Sequence, residues 1–309
     1  MSVREVVALG TASQVPTRYR NHNGYLLRWD RHGILFDPGE GTQRQMIYAN
    51  VSATAITRIC VTHFHGDHCL GLAGVTQRIS LDGVPHDVPV HFPASGRKYY
   101  DRLRHASIFR DRARLVPLPI TEEGLLAEDD GIQLEARALD HGVPTYGYRV
   151  SEPSGRRMLP ELLAAKGVKG RAIGELTRAG SVEVDGVTVH LDEVSEVKRG
   201  QSMAFVMDTR PCAGALELAR GADLLVCEST YLNEHAREAH DHHHMTARQA
   251  AELARDAGVR KLVLTHFSQR YPRAEPFLDE AAAVFPDVVA AKDGMHIELP
   301  KRDRPEPPV

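Results

Sequence analysis

Residues 61–70 read Val-Thr-His-Phe-His-Gly-Asp-His-Cys-Leu, which puts His63, His65, Asp67 and His68 within six residues of one another. Neutral imidazole is a good ligand for zinc, and imidazoles joined by a carboxylate suit a hydrolytic centre that keeps a coordination position open. Four ligands from one loop exceed what a single tetrahedral ion takes from one segment, so the run implies two ions. His63 and His65 stand two apart, and in an extended segment both side chains leave on the same side. Gly66 is expected to let the backbone turn where a Cβ would clash. A His-rich surface turn is the ordinary alternative, but the apolar stretch leading straight into the run argues against it.

The elements around the run must hold it at the end of a sheet. A strand over 57–62 delivers it and 70–79 has helical apolar spacing, so the ligands stand at a strand's C-terminal end, where α/β folds keep their chemistry. Strands are also expected over 3–9, 25–29 and 33–37, short and early-turning as at the edge of a sandwich, followed by a Gly/Pro turn and a capped helix over 37–46. Later strands are read at 88–92, 132–139, 146–148, 203–207 and 222–228. Thr246, with Gln249 three residues on, makes a capping box for a helix over 247–257 that Gly258 ends. The phrase Arg58-Ile-Cys-Val-Thr-His63-Phe recurs as Lys261-Leu-Val-Leu-Thr-His266-Phe, so each half of the chain offers a histidine from an equivalent strand end.

With 309 residues, 42% hydrophobic and 26% charged, the chain can bury one large α/β domain, 1–309, carrying an insertion. A net charge of -3 gives no global pull on nucleic acid, so such a partner must be held by a local basic patch. Cys60, Cys69, Cys212 and Cys227 are scattered and fit reduced thiols. The N-terminus lacks an export pattern and no window approaches 18 apolar residues, so a cytoplasmic protein with no membrane partner is expected.

Two stretches concentrate positive charge. Residues 97–114 hold seven Lys/Arg against two Asp with aromatics interleaved, which fits the solvated face of an amphipathic helix or an RNA contact. Residues 152–200 break the regular alternation and read as an inserted arm. Between Gly155 and Gly180 its six Lys/Arg face two Glu, a local excess of +4 that suits a phosphate clamp or a polar hairpin. The tail, 300–309, has four prolines and five charges and is expected to be disordered.

His63-x-His65-x-Asp67-His68 resembles the signature of the metallo-β-lactamase superfamily, which implies a four-layer αβ/βα sandwich. Within it, Leu9-Gly-Thr-Ala-Ser-Gln-Val-Pro16 with Arg20-Asn21, and Phe36-Asp37 through Glu40-Gly-Thr-Gln-Arg44, look like the opening of the ribonuclease Z family, whose members trim the 3′ end of precursor tRNA. The resemblance implies that Asp37 supports the metal site from behind its ligands, and that Asp140-His141 is a third-ligand segment. It also implies a bridging carboxylate at Asp208 in Asp-Thr-Arg-Pro, a functional His244 beside Glu228, and a homodimer. His242 and His243 are expected to be solvent-exposed or to support the site. The family carries a tRNA-binding arm where 152–200 lies, although its proline-glycine run here reads Gly-Val-Lys-Gly-Arg-Ala-Ile over 167–173, without proline.

On this reading His63, His65 and His141 bind one zinc, Asp67, His68 and His266 the other, and Asp208 both; manganese and iron accept the same donors. Two ions about 3.5–4 Å apart bring the pKa of a shared water from about 16 towards 7, and the hydroxide attacks phosphorus, leaving a tRNA 3′-hydroxyl. Asp67 accepts the proton, and His244, oriented by Glu228, donates to the leaving oxygen. The rival expectation is a superfamily phosphodiesterase acting on small phosphodiesters or another substrate without tRNA.

Overall fold

Leu224–Glu228 shows the logic of the core: all five residues are buried, Leu225 and Cys227 packing among helices and Leu224, Val226 and Glu228 alternating to the opposite face. A strand wetted on neither face requires a layer on each side. The computed structural model, which describes residues 3–301, supplies those layers. The expected disorder of the tail falls, from residue 302 onward, outside the described residues.

The first of two seven-stranded sheets runs His296–Glu298, Arg4–Gly10, Gly24–Trp29, His32–Phe36, Arg58–Cys60, Val88–Pro93 and Leu115–Ile120 in spatial order. The second runs Val288–Ala290, Leu262–Thr265, Leu224–Glu228, Ser202–Val206, Thr145–Ser151, Ile132–Leu139 and Gly124–Asp129. Strand pairing is parallel from His32–Phe36 through Leu115–Ile120 and from Ser202–Val206 through Val288–Ala290, so in each sheet several C-terminal ends point the same way.

The sheets meet through aromatic rings. Phe36 stacks on Phe205 with centroids 4.6 Å apart, Tyr25 meets Phe205 edge-on at 5.2 Å, and the Tyr148 hydroxyl donates to the Val61 carbonyl at 2.7 Å. Helices Thr42–Tyr48, Leu72–Leu81 and Arg97–Arg104 cover the outer face of the first sheet, and Ala213–Ala219, Ala247–Asp256 and Glu275–Ala282 that of the second. The result is a four-layer αβ/βα sandwich. The capping box forms as read, with the Gln249 N–H donating to Thr246 Oγ1 and the Gln249 side chain accepting from the Thr246 N–H.

Three expectations change. The strands between residues 4 and 36 lie inside their sheet, because the C-terminal strand His296–Glu298 takes the edge beside Arg4–Gly10. The basic helix stops at Arg104, where its C-cap His105 leaves helical geometry, and 105–114 is irregular. Gly66 is no turn glycine: it opens the short helix Gly66–Cys69, and a Cβ there would meet only the end of the Leu70 side chain, at 3.0 Å.

Residues 129–132 and 151–201 form a second compact unit. Gly155–Met158 pairs antiparallel with Ser195–Lys198, Ser181–Val184 pairs with Val187–His190 across the left-handed Asp185-Gly186 turn, and the helices Pro160–Ala165 and Arg171–Ala179 complete it. Leu163, Val168, Leu176, Val182, Val189 and Val194 make its own small core. Three of the six cations behind that +4 excess are neutralised inside this unit: Arg156 pairs with Asp192, Arg157 with Glu196 at 2.9 Å and Lys166 with Glu193 at 2.8 Å. Lys169, Arg171 and Arg178, on and just before one helix, have no ion pair among the described residues.

Candidate metal centre

Five imidazoles and two carboxylates converge from both halves of the sandwich. Their donor atoms form two groups, His63, His65, His141 and Asp208, and Asp67, His68, His266 and Asp208, with all donors of a group within 4.8 Å of one another. His63 Nε2 and His141 Nε2 each face His65 Nδ1, at 3.0 and 3.2 Å, and lie 3.7 and 3.8 Å from Asp208 Oδ2. On the other side His68 Nε2 is 3.2 Å from Asp67 and 3.3 Å from Asp208, and His266 Nε2 is 3.5 Å from Asp67 and 3.1 Å from Asp208 Oδ1. Asp208 therefore belongs to both groups.

These spacings fit divalent ions. Metal–ligand bonds of about 2.0–2.1 Å place tetrahedral donors roughly 3.3 Å apart. Burial holds His63 well below its ordinary pKa, helped by the charge of His68, and burial lowers His65 and His141, so three lone pairs face one point with no proton to share. Asp208 Oδ1 and His266 Nε2 are buried and make no hydrogen bond among the described residues. An orphaned carboxylate oxygen facing an orphaned imidazole nitrogen is costly unless a cation sits between them. Without one, His68 carries the missing charge: burial opposes it, but Asp208, Asp67 and Asp37 raise its pKa well above the ordinary value.

The outer nitrogens explain why the inner ones point inward. His63 Nδ1 donates to Thr62 Oγ1 at 3.0 Å, and that hydroxyl donates to Asp37 Oδ2 at 2.8 Å. His68 Nδ1 donates directly to Asp37 at 2.8 Å, and the Thr62 N–H donates to the other Asp37 oxygen at 2.7 Å. His266 Nδ1 donates to Thr230 Oγ1 at 2.7 Å, whose hydroxyl donates to Glu228 at 2.6 Å. His141 Nδ1 donates to the His243 carbonyl at 3.2 Å. Such partners fix the tautomer and the ring plane of a metal-ligating histidine.

The backbone is bent to achieve this. Asp37, Asp208, His243 and His266 all have positive φ, between 43° and 61°, a conformation Asp and His adopt more readily than branched residues but seldom. His266 follows directly on one buried strand and Asp208 follows another with only Met207 between, and the left-handed turn directs both side chains across the sheet ends.

His244 completes the cleft. Its Nδ1 donates to Glu228 at 2.9 Å, and the fully buried Glu228 also accepts from the Thr209 and Met245 amides. Burial depresses the His244 pKa, but the Glu228 carboxylate and then Asp208 outweigh it and bring it to about 9. The ring stays 15% exposed, opening on a cleft of about 560 Å³ that Asp67, His65, His141, Asp208 and His266 also line. His242 is exposed and bonded to the Tyr231 hydroxyl at 2.9 Å, while half-buried His243 pairs with Asp140 at 3.2 Å. Reading the sequence missed the hydroxyls of Thr62 and Thr230 and the carbonyl of His243; nothing in residue type marks a carbonyl as a partner.

Residues 17–159 match the metallo-beta-lactamase superfamily and 186–267 a beta-lactamase superfamily domain, the class that this layered fold and His/Asp centre define. Ribonuclease Z of Streptomyces coelicolor is 59% identical over 304 residues, covering 98% of this chain and 100% of that protein, and Ribonuclease Z of Chlamydia trachomatis is 49% identical, covering 97% and 99%. The crystal structure of the short form of human tRNase Z superposes with a TM-score of 0.70 at 25% identity, over 96% of this chain and all of that one. The chain belongs to the ribonuclease Z family and is a metal-dependent phosphodiester hydrolase. Among the described residues, no helix is long and apolar enough to cross a membrane.

Proposed function

We propose that this chain is a zinc-dependent endoribonuclease that removes the 3′ trailer from precursor tRNA. One observation carries the reading: seven ligand-type side chains from both halves of the chain meet at one cleft, in a sequence 59% identical to a Ribonuclease Z over its full length. We assign His63, His65, His141 and Asp208 to one ion and Asp67, His68, His266 and Asp208 to the other. Two divalent ions held there would lower the pKa of a water and draw charge from the phosphoryl oxygens.

The chain's own groups orient the substrate and move its protons. Asp67, anionic and 7% exposed at the cleft, takes the proton of the attacking water. His244, cationic at neutral pH, gives its Nε2 proton to the departing 3′ oxygen while Glu228 keeps the bond to Nδ1. The products are a tRNA 3′-hydroxyl and a 5′-phosphorylated trailer. The 151–201 unit holds the tRNA body, and the unpaired Lys169, Arg171 and Arg178 are the cations free to meet its phosphates. The reading extends to a cytoplasmic homodimer, which light scattering of the purified protein tests.

Incubating the protein with a precursor tRNA, with and without chelator, and mapping the cut tests the activity. Chelator-sensitive cleavage at the tRNA–trailer junction is the expected result. Hydrolysis of a chromogenic phosphodiester with no cut in the precursor would leave a small-phosphodiester hydrolase instead. Charge reversal at Lys169, Arg171 and Arg178 should abolish precursor cleavage and spare the chromogenic substrate; equal loss of both would remove the arm as an RNA clamp.

A further inference from the structure

A second cationic surface adjoins the metal loop. Of the seven cations between 97 and 114, Arg97 pairs with Asp101, Arg104 with Asp111 and Arg114 with Asp87. Lys98, Arg102, Arg110 and Arg112 have no ion pair among the described residues. In a chain of net charge -3, four unneutralised cations in fifteen residues, 98–112, are a local field of the opposite sign.

That surface also holds an aromatic ring. Tyr99 is 41% exposed. One side of its ring lies 5.9 Å from Phe64, inclined at 32°, and Lys98 Nζ and Arg102 Cζ lie 4.8 and 6.0 Å from its centroid. Phe64 is the residue between His63 and His65, so Tyr99 is one ring removed from the backbone that carries two metal-type ligands. The helix comes this close because residue 96 is Gly, where a Cβ would stand 2.0 Å from the Phe64 ring. An exposed aromatic flanked by cations that form no ion pair among the described residues is the composition that stacks unpaired bases and tracks their phosphates. Duplex RNA is gripped through its backbone and has no free base faces to stack.

We propose that Lys98, Tyr99 and Arg102 bind single-stranded RNA on the 3′ side of the cut, with Tyr99 stacking a trailer base and the cations, continued by Arg110 and Arg112, contacting trailer phosphates. This rests on the trailer-removing activity proposed above. It makes the surface a determinant of trailer length, separate from the unit that holds the tRNA body.

The test compares precursor tRNAs carrying trailers of one and of about ten nucleotides, together with a chromogenic phosphodiester. For Tyr99→Ala the KM of the long-trailer precursor should rise about tenfold. Its kcat, the KM of the one-nucleotide precursor and chromogenic hydrolysis should stay at wild-type values, and Tyr99→Phe should restore the KM. Lys98→Ala with Arg102→Ala should flatten the salt dependence of long-trailer binding by a slope of about 1.4, the share of two phosphates on a single strand. An unchanged long-trailer KM overturns the proposal. So does an equal rise with both trailers, which would put the contact on the tRNA body, or a fall in chromogenic hydrolysis, which would mean that Tyr99 acts by supporting Phe64 and the metal loop. Failure of the wild-type protein to cut either precursor would instead refute the activity, so the two failures are distinct.

Discussion

Asp37 and Glu228 hold corresponding places in the two halves of the sandwich, and the comparison shows how one plan serves two purposes. Each is fully buried, each reaches a ligand-type histidine through a threonine hydroxyl, and each holds a second imidazole directly. For Asp37 the pair is His63 through Thr62, and His68; for Glu228 it is His266 through Thr230, and His244. The halves differ in what the second imidazole faces. His68 is sealed and its Nε2 sits between Asp67 and Asp208, whereas His244 opens on the cleft. One carboxylate thus locks a ligand-type histidine, and the other holds the imidazole that we propose as the proton donor.

The largest effect should come from the residue the halves share. Asp208→Ala removes a donor from both groups; we expect bound metal, by elemental analysis, to fall below one ion per chain and hydrolysis of any phosphodiester to drop at least about thousandfold. Next, His68→Ala should cost metal, while His244→Ala should keep two ions per chain and slow single-turnover cleavage by about 10²–10⁴. Equal metal loss in both variants would break the comparison. The threonines give a finer test. Thr230→Val should weaken metal binding roughly tenfold, like other supporting groups around metal-bound histidine. Thr265→Val should leave it unchanged and cost about 1 kcal/mol of stability, because the Thr265 hydroxyl bonds Tyr25 at 2.6 Å and not His266.

The smallest effect is a titration in the metal-free protein. The His244 pKa is raised to about 9 in the fold. A raised imidazole stabilises fully below its unfolded value of about 6.5, and that contribution fades as pH climbs through about 9. Imidazole resonances should follow that course, and Glu228→Gln should bring the midpoint back towards 6.5.

The class of chemistry was legible in the sequence because four ligand-type side chains lie within six residues of one chain segment, where the backbone alone keeps them together. The repeated phrase around Thr62-His63 and Thr265-His266 likewise foretold two strand ends with one histidine each. It could not foretell that the two threonines part company. Thr62 serves its neighbour His63, while Thr265 turns to Tyr25 and Thr230, at the end of the adjacent parallel strand, takes its place.

That exchange depends on strand order and on a left-handed His266, and neither leaves a mark in residue type. The same holds for the His243 carbonyl behind His141 and for the acidic residues at 192–196 that pair with three of the arm's six cations between 155 and 180. Composition and spacing determined which groups were available for metal chemistry. Tertiary structure decided which of them face the cleft, which stand behind, and which charges remain free, because those choices are made by partners far away along the chain.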